Sequence, residues 1–237
     1  MELLPFGDQA LLVNFEQRIQ VEVNQKVMAM YQAVKAADRA EVTFLIPAYC
    51  SLVIGYNPEI SDFQHLRSWL KELKIEMEGS VEPERKLKIP VCYHLSYGLD
   101  LKEVAKLTGL KVESIIDLHT SHTFRVFMLG FLPGFAYMGP LPEKLQCARM
   151  STPRKKVPPG SVGLAGNQTG IYPDEAPGGW RIIGKSPLPI FRTQGQEPFL
   201  FQAGDLVRFE AIEDARFQEI QVQCAEGIFD WESIYET

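Results

Sequence analysis

The stretch from Gly130 to Gly184 constrains the fold of this chain more than any other part. Residues 130–190 hold ten of the sixteen prolines and ten of the eighteen glycines. A linker of that composition is expected to be monotonous and poor in large apolar groups. Here Phe131, Phe135, Tyr137, Tyr172 and Trp180 are interleaved with the turns. Proline fixes φ and glycine permits positive φ, so "LPGF", "PPGS", "AGNQTG" and "APGGW" each read as a tight turn that aims its neighbours at a fixed place. The segment is expected to form a shaped surface.

A chain of 237 residues, 46% of them hydrophobic, suffices for one large domain or two small ones, and two are expected. In the first, residues 1–84, "ALLVNF" at 10–15 reads as a strand. Ile19 to Arg39 reads as a helix, with Val23, Val27, Met30, Tyr31 and Val34 on one face. Strands follow at 42–46 and 51–56. Ser61 and Gln64 suggest a capping box for a second helix, whose buried stripe is Phe63, Leu66, Trp69, Leu70 and Leu73. This order predicts a small α+β sandwich, one sheet covered by two helices. "EGSVEPERK" at 78–86 is the expected linker.

The second domain, residues 85–237, is expected to open with a strand at 87–93. A helical pair follows, with Asp100 capping its first helix and Gly109 ending it. Beyond "TFRVFML" no useful helical period is apparent. Short β-like runs at 161–165, 181–183, 206–212 and 218–224 predict an irregular β-barrel.

Net charge is −6, which disfavours nucleic acid as a partner. The helical pair has a helix-turn-helix outline, but Asp100 to Asp117 carries three lysines against four acids, a poor surface for phosphates. From Lys144 to Arg192 eight basic residues face only Asp174 and Glu175. That local field suits an anionic small molecule, an acidic partner face or simply water. No run approaches the roughly 18 apolar residues of a membrane span, and the opening lacks the basic region of a secretory signal. Cys50, Cys92, Cys147 and Cys224 form no C-x-x-C pair, so a reducing compartment is expected, by default the cytoplasm.

The sequence has no G-x-x-x-x-G-K-[ST] loop, no G-x-S-x-G elbow and no H-E-x-x-H pair. His119 and His122 form an H-x-x-H spacing with no evident third ligand, so no metal is expected. His119 is expected near a helix C-terminus, where the dipole favours a cation, and reads either as a cap or as a general acid or base. Arg154 and Lys156 suit a carboxylate or phosphate. Ser161, Asn167, Gln168, Thr169 and Tyr172 can bond a polar ligand or satisfy their own turns. Gly178 and Gly179 either admit a close approach or accommodate a bend before Trp180. Cys147 has no base near it in sequence and reads as inert.

Four consecutive segments carry a resemblance: "HTSHTFRVFMLGFLPGFAYMGPLP", "PRKKVPPGSVGLAGNQTGIYP", "PGGWRIIGKSPLPIF" and "AGDLVRF". With the opening "LPFGDQALLVNF" they resemble the allophanate hydrolase subunit 1 family, which includes the B component of bacterial 5-oxoprolinase and the kinase inhibitor KipI. The resemblance covers most of the chain. It implies an α+β N-terminal domain followed by a cyclophilin-like β-barrel. It also implies one component of an ATP-coupled enzyme, with subunits A and C as partners, that opens the lactam of 5-oxoproline to L-glutamate, ATP activating the carbonyl. Kinase inhibition, or a carboxyltransferase role in urea or allophanate processing, is the alternative it leaves open. On this resemblance His119, Arg154, Ser161, Gln168, Tyr172 and Trp180 are expected around a cleft shared with a partner. Arg154 would bind an anion, His119 would transfer a proton or orient a ligand, and Trp180 would form a wall.

Overall fold

The computed structural model describes residues 1–75, 85–192 and 198–236. Residues 78–84 of the expected linker, and with them the boundary expected between 84 and 85, lie outside the described residues. The fold divides into two compact units, Met1–Pro83 and Glu84–Thr237.

The first unit is a four-stranded antiparallel sheet with two helices. Its elements are β1 (Glu2–Pro5), β2 (Ala10–Asn14), α1 (Val21–Ala36), β3 (Val42–Pro47), β4 (Ser51–Tyr56) and α2 (Phe63–Glu72), with sheet order β1-β2-β4-β3. Alternate residues of the central strands, Leu11 and Val13 on β2 and Leu52, Ile54 and Tyr56 on β4, meet Val27, Met30 and Val34 of α1 and Leu66 and Leu70 of α2 in one core. Asp62, not Ser61, caps α2, its carboxylate accepting the His65 N–H at 2.8 Å. A capping oxygen must stand at the last non-helical residue to reach the third helical amide, and Ser61 lies one residue too early.

The second unit is built on a seven-stranded sheet. Its elements in chain order are β5 (Lys86–Val91), α3 (Leu101–Thr108), α4 (Val112–Ser121), β6 (Thr123–Leu129), β7 (Ala136–Gly139), β8 (Arg154–Val157), β9 (Ser161–Ala165), β10 (Gln168–Ile171), β11 (Ala176–Gly178), β12 (Arg181–Lys185), β13 (Leu206–Ala211) and α5 (Asp214–Glu226). The order is β12-β9-β10-β7-β6-β13-β5, with β13 and β5 parallel and the other pairs antiparallel. β8 and β11 form a separate two-stranded ribbon. The large sheet curls until its end strands touch: the Cys92 N–H donates to the Lys185 carbonyl at 2.8 Å, and Lys185 returns the bond at 3.0 Å.

Residues 218–224, expected as a strand, belong to α5. The alternation of Ile220, Val222 and Cys224 imitates a strand, but Val222 is 54% exposed while Phe217 and Ile220, three residues apart, are buried. That spacing is helical, and Gly227 ends the helix at φ 73°. Asp100 stands at the start of α3 without capping it; its carboxylate is used elsewhere. Gly109 ends α3 in the left-handed region, as expected.

Candidate functional site

β10 sorts its neighbours onto two faces. Thr169 and Ile171 point into the main core, whereas Gly170 and Tyr172 face an outer cluster of Phe135, Val157, Ala165, Ala176, Trp180 and Ile182. Gly170 is required there, because a Cβ would fall 3.2 Å from the Trp180 ring, 3.4 Å from Phe135 and 2.7 Å from the Ala136 carbonyl. The Phe135 ring meets Tyr172 and Trp180 edge-on at 5.2 and 5.3 Å, and Tyr137 at 4.8 Å. Aromatic pairs of this geometry add roughly 0.5–1.5 kcal/mol each beyond simple burial.

The cluster reaches solvent at one loop and one cation. Phe131 is 62% exposed, holds φ 67°, and sets its ring at right angles to Phe135 at 5.9 Å. A bulky residue in the left-handed region costs about 1–3 kcal/mol. The loop's own bonds impose it: Leu132 N–H to Gly130 O at 2.8 Å, Phe135 N–H to Leu132 O at 3.0 Å, and Gly130 N–H to Phe135 O at 3.1 Å. The exposed Arg149 guanidinium lies over the Trp180 ring at 5.8 Å. An exposed phenylalanine, a half-buried tyrosine and an exposed arginine, backed by the buried Trp180, present aromatic and cationic groups that could receive a flat polar group or a protein partner.

The expected site residues separate into three groups. Tyr172, Gly178, Gly179 and Trp180 come together with Arg154. Ser161 and Gln168 stand near opposite ends of the β9–β10 hairpin, Ser161 buried beside Tyr172 and Gln168 next to the Gly166–Asn167 turn, roughly 13 Å of strand away. His119 lies on the other side of the sheet altogether.

Arg154 is not an open anion site. Its two terminal nitrogens donate to both carboxylate oxygens of Asp100 at 2.8 and 2.6 Å, and Asp100 is only 4% exposed. Those bonds raise the Arg154 pKa further. The same carboxylate accepts the Ile182 N–H at 2.7 Å, so one aspartate ties the β8–β11 ribbon, the start of α3 and β12 together. Lys156 pairs with Glu175 at 2.7 Å and Arg181 with Glu103 at 2.9 Å. Three of the eight basic residues over 144–192 are thus paired with carboxylates of the chain itself.

His119 is fully buried on α4, not a cation at the surface. Its ring stacks on Phe209 at 4.4 Å, and burial drives its pKa down to about 3. Thr169 Oγ1 donates to the Gly163 carbonyl at 3.1 Å and accepts from His119 Nε2–H at 2.9 Å. Nδ1 is left to accept the Tyr93 hydroxyl at 2.7 Å. This neutral imidazole with both nitrogens occupied is a structural link, and His122 faces solvent, so the H-x-x-H pair does not converge.

Gly178 owes its identity to Tyr172, since a Cβ there would lie 2.1 Å from the Tyr172 hydroxyl. Gly179 has room, its nearest neighbour being the Met150 carbonyl at 3.5 Å. Gly178→Ala is expected to cost about 1–3 kcal/mol, because the buried Tyr172 ring cannot withdraw. Gly179→Ala should remain within about 0.5 kcal/mol. Urea unfolding of the two variants side by side measures the contrast.

Sequence reasoning missed Phe131 as a strained site and gave Asp100 a capping role. Burial raises the pKa of all four thiols, and no group of three or more His, Cys, Asp or Glu able to hold a metal occurs among the described residues. None of the four thiols is thereby poised as a nucleophile.

Comparison with known proteins decides the family. The carboxyltransferase domain family, subdomain C and D, matches residues 1–201. This chain belongs to that family. Its likeness to the carboxyltransferase family extends to a curated relative, the 5-oxoprolinase B component of Bacillus subtilis (strain 168), 39% identical over 88% of this chain and 91% of the relative. The B component of Escherichia coli O157:H7 is 38% identical over 86% and 92%. The crystal structure of TTHA0988 superposes with TM-score 0.78 at 34% identity, over 86% of this chain but only 40% of that longer one. Kluyveromyces lactis urea carboxylase shares the fold alone, with TM-score 0.78 at 17% identity over 96% of this chain and 23% of its own length. The resemblance carried by the opening segment and by the four segments between His119 and Phe209 is thereby confirmed.

Proposed function

We propose that this chain is the B component of a 5-oxoprolinase, acting with A and C components to open the lactam of 5-oxo-L-proline to L-glutamate at the expense of ATP. The observation that carries this reading is the 39% identity to a B component along 91% of that relative's length. Likeness over that much of both chains supports a shared role rather than a shared fold alone.

The residues of the chain support a binding part in that reaction. A triphosphate needs several free cations or a glycine-rich amide cradle. Arg154, Lys156 and Arg181 are paired internally, and the nucleotide is assigned to a companion. The platform of Phe131, Tyr137, Trp180 and Arg149 is assigned to the surface on which substrate or companion rests. Ser161, Gln168 and Tyr172 are assigned to shaping its supporting hairpin. The curled sheet, joined at Cys92 and Lys185, is read as a barrel of the cyclophilin type. No helix among the described residues is long and apolar enough to cross a membrane, and the four cysteines are unpaired, which supports placement in the cytoplasm.

Reconstitution tests the assignment. The purified chain alone is expected to release no glutamate from 5-oxoproline and ATP, and the set with both companions to release it continuously. A complete set that stays silent while the Bacillus subtilis set turns over would remove the proposal.

A further inference from the structure

The sheet of the first unit has an apolar face that the unit's own two helices leave uncovered. Leu4 pairs with Leu12, Leu12 with Val53 and Val53 with Ile46, giving one apolar row across all four strands on the side away from α1 and α2. Leu4 is 41% and Ile46 51% exposed. Phe44, 47% exposed, lies over Gly55, where a Cβ would fall 2.2 Å from its ring. The next row in the other direction, Glu2, Asn14 and Ser51, is polar. An antiparallel sheet with one wet face alternates apolar and polar residues, whereas near-continuous apolar runs belong to strands covered on both sides. "ELLP", "ALLVN", "TFLIP" and "SLVIGY" are runs of the covered kind.

Two observations indicate what covers this face. The family to which the chain belongs comprises subdomains C and D of a carboxyltransferase domain, which leaves the rest of such a domain outside residues 1–201. In TTHA0988 the counterpart of this chain is part of a longer protein, of which the match spans only 40%. On the multicomponent reading above, the neighbour supplied there on the same chain comes as a separate component.

We propose that the Leu4–Leu12–Val53–Ile46 face, with Phe44, docks the companion polypeptide that corresponds to the remainder of the carboxyltransferase domain. The matching surface is an apolar strip flanked by hydrogen-bond donors opposite Glu2, Asn14 and Ser51. This rests on the multicomponent reading above, and it assigns the assembly contact to the first unit while the aromatic platform of the second stays available to substrate.

The test uses the full chain and the C component of 5-oxoprolinase encoded in the same genome, with affinity measured by titration calorimetry. Leu4→Lys with Ile46→Lys places two charges on exposed positions and is expected to weaken binding at least about thirtyfold, the loss typical of one hot-spot position. Ile46→Val should bind normally, as should Val222→Lys, which alters an exposed apolar residue of α5. Unchanged circular dichroism establishes that the double variant is folded. If it does not fold, hydrogen exchange on the unaltered chain decides, with amides of residues 2–5 and 42–47 expected to gain protection when the companion is added.

Normal companion binding by the folded double variant overturns the proposal, as does the absence of binding by the unaltered chain or of protection in those strands. A chain whose mass by light scattering is dimeric, and becomes monomeric only in the double variant while companion binding is unaffected, shows a second copy on this face and also overturns it. Weakened binding by the variant, together with no glutamate from the unaltered full set, leaves the docking face standing and removes the functional reading instead.

Discussion

Arg154→Ala is expected to destabilise the second unit by about 3 kcal/mol, the lower end for a broken buried ion pair, because a quarter of the arginine side chain remains in water. The loss comes chiefly from what is left behind. Asp100 is 4% exposed, and without the guanidinium its carboxylate is left with the Ile182 N–H. Arg154→Lys preserves the charge but not the two parallel bonds, and should fall between the alanine variant and the unaltered protein. Asp100→Asn keeps an acceptor for Ile182 N–H and leaves the arginine to be hydrated, so a smaller cost of about 1–2 kcal/mol is expected. Combining Arg154→Ala with Asp100→Asn should recover part of the sum of the separate losses, since the residues are in direct contact. Urea unfolding followed by near-ultraviolet circular dichroism measures all four proteins. An Arg154→Ala variant as stable as the parent, but unable to support glutamate release in the complex, would restore the anion-binding role to Arg154.

The same pair shows where sequence reading reached its limit. Local patterns made β4 and α2 legible, because Leu52, Ile54 and Tyr56 alternate and Leu66 and Leu70 stand one helical turn apart, while β9, buried throughout, was legible as a short run between turns. The turn chemistry was legible too: Gly166 opens a two-residue hairpin loop at φ 60°, a conformation favourable to glycine. Arg154 and Asp100 are 54 residues apart. Nothing in either neighbourhood announces the other, so an aspartate before a helix read as its cap and an arginine among turns read as free. His119 did carry a signal. Ile115 lies four residues before it on the same face of α4, and both are buried, so the helical period placed the imidazole inside. The strand imitation at 218–224 failed for the opposite reason, because the exposed Val222 lent a period of two to a helix whose buried contacts are Phe217 and Ile220.

His119→Ala is expected to remove about 4 kcal/mol or more, since it opens a cavity and orphans the Tyr93 hydroxyl in the core. His119→Phe separates the two contributions by restoring volume and the stack on Phe209 while still abandoning Tyr93. Adding Tyr93→Phe to that variant should then regain about 1–2 kcal/mol by deleting the orphaned hydroxyl. The acid behaviour supplies the decisive measurement. The folded imidazole stays neutral down to about pH 3, whereas in the unfolded chain it takes a proton below its ordinary pKa of 6.5. Between these values the unfolded state holds more protons, so the stability due to a neutral His119 is intact above pH 6.5 and declines as pH falls, by up to about 1.4 kcal/mol per unit. From pH 7 to pH 5 the unaltered chain should lose about 2 kcal/mol that His119→Phe does not lose, the carboxylates contributing alike to both. Urea midpoints at the two pH values read this difference directly. Parallel acid losses in the two proteins would mean that the imidazole is charged or solvated in the fold, and would return His119 to the list of groups able to exchange a proton with substrate.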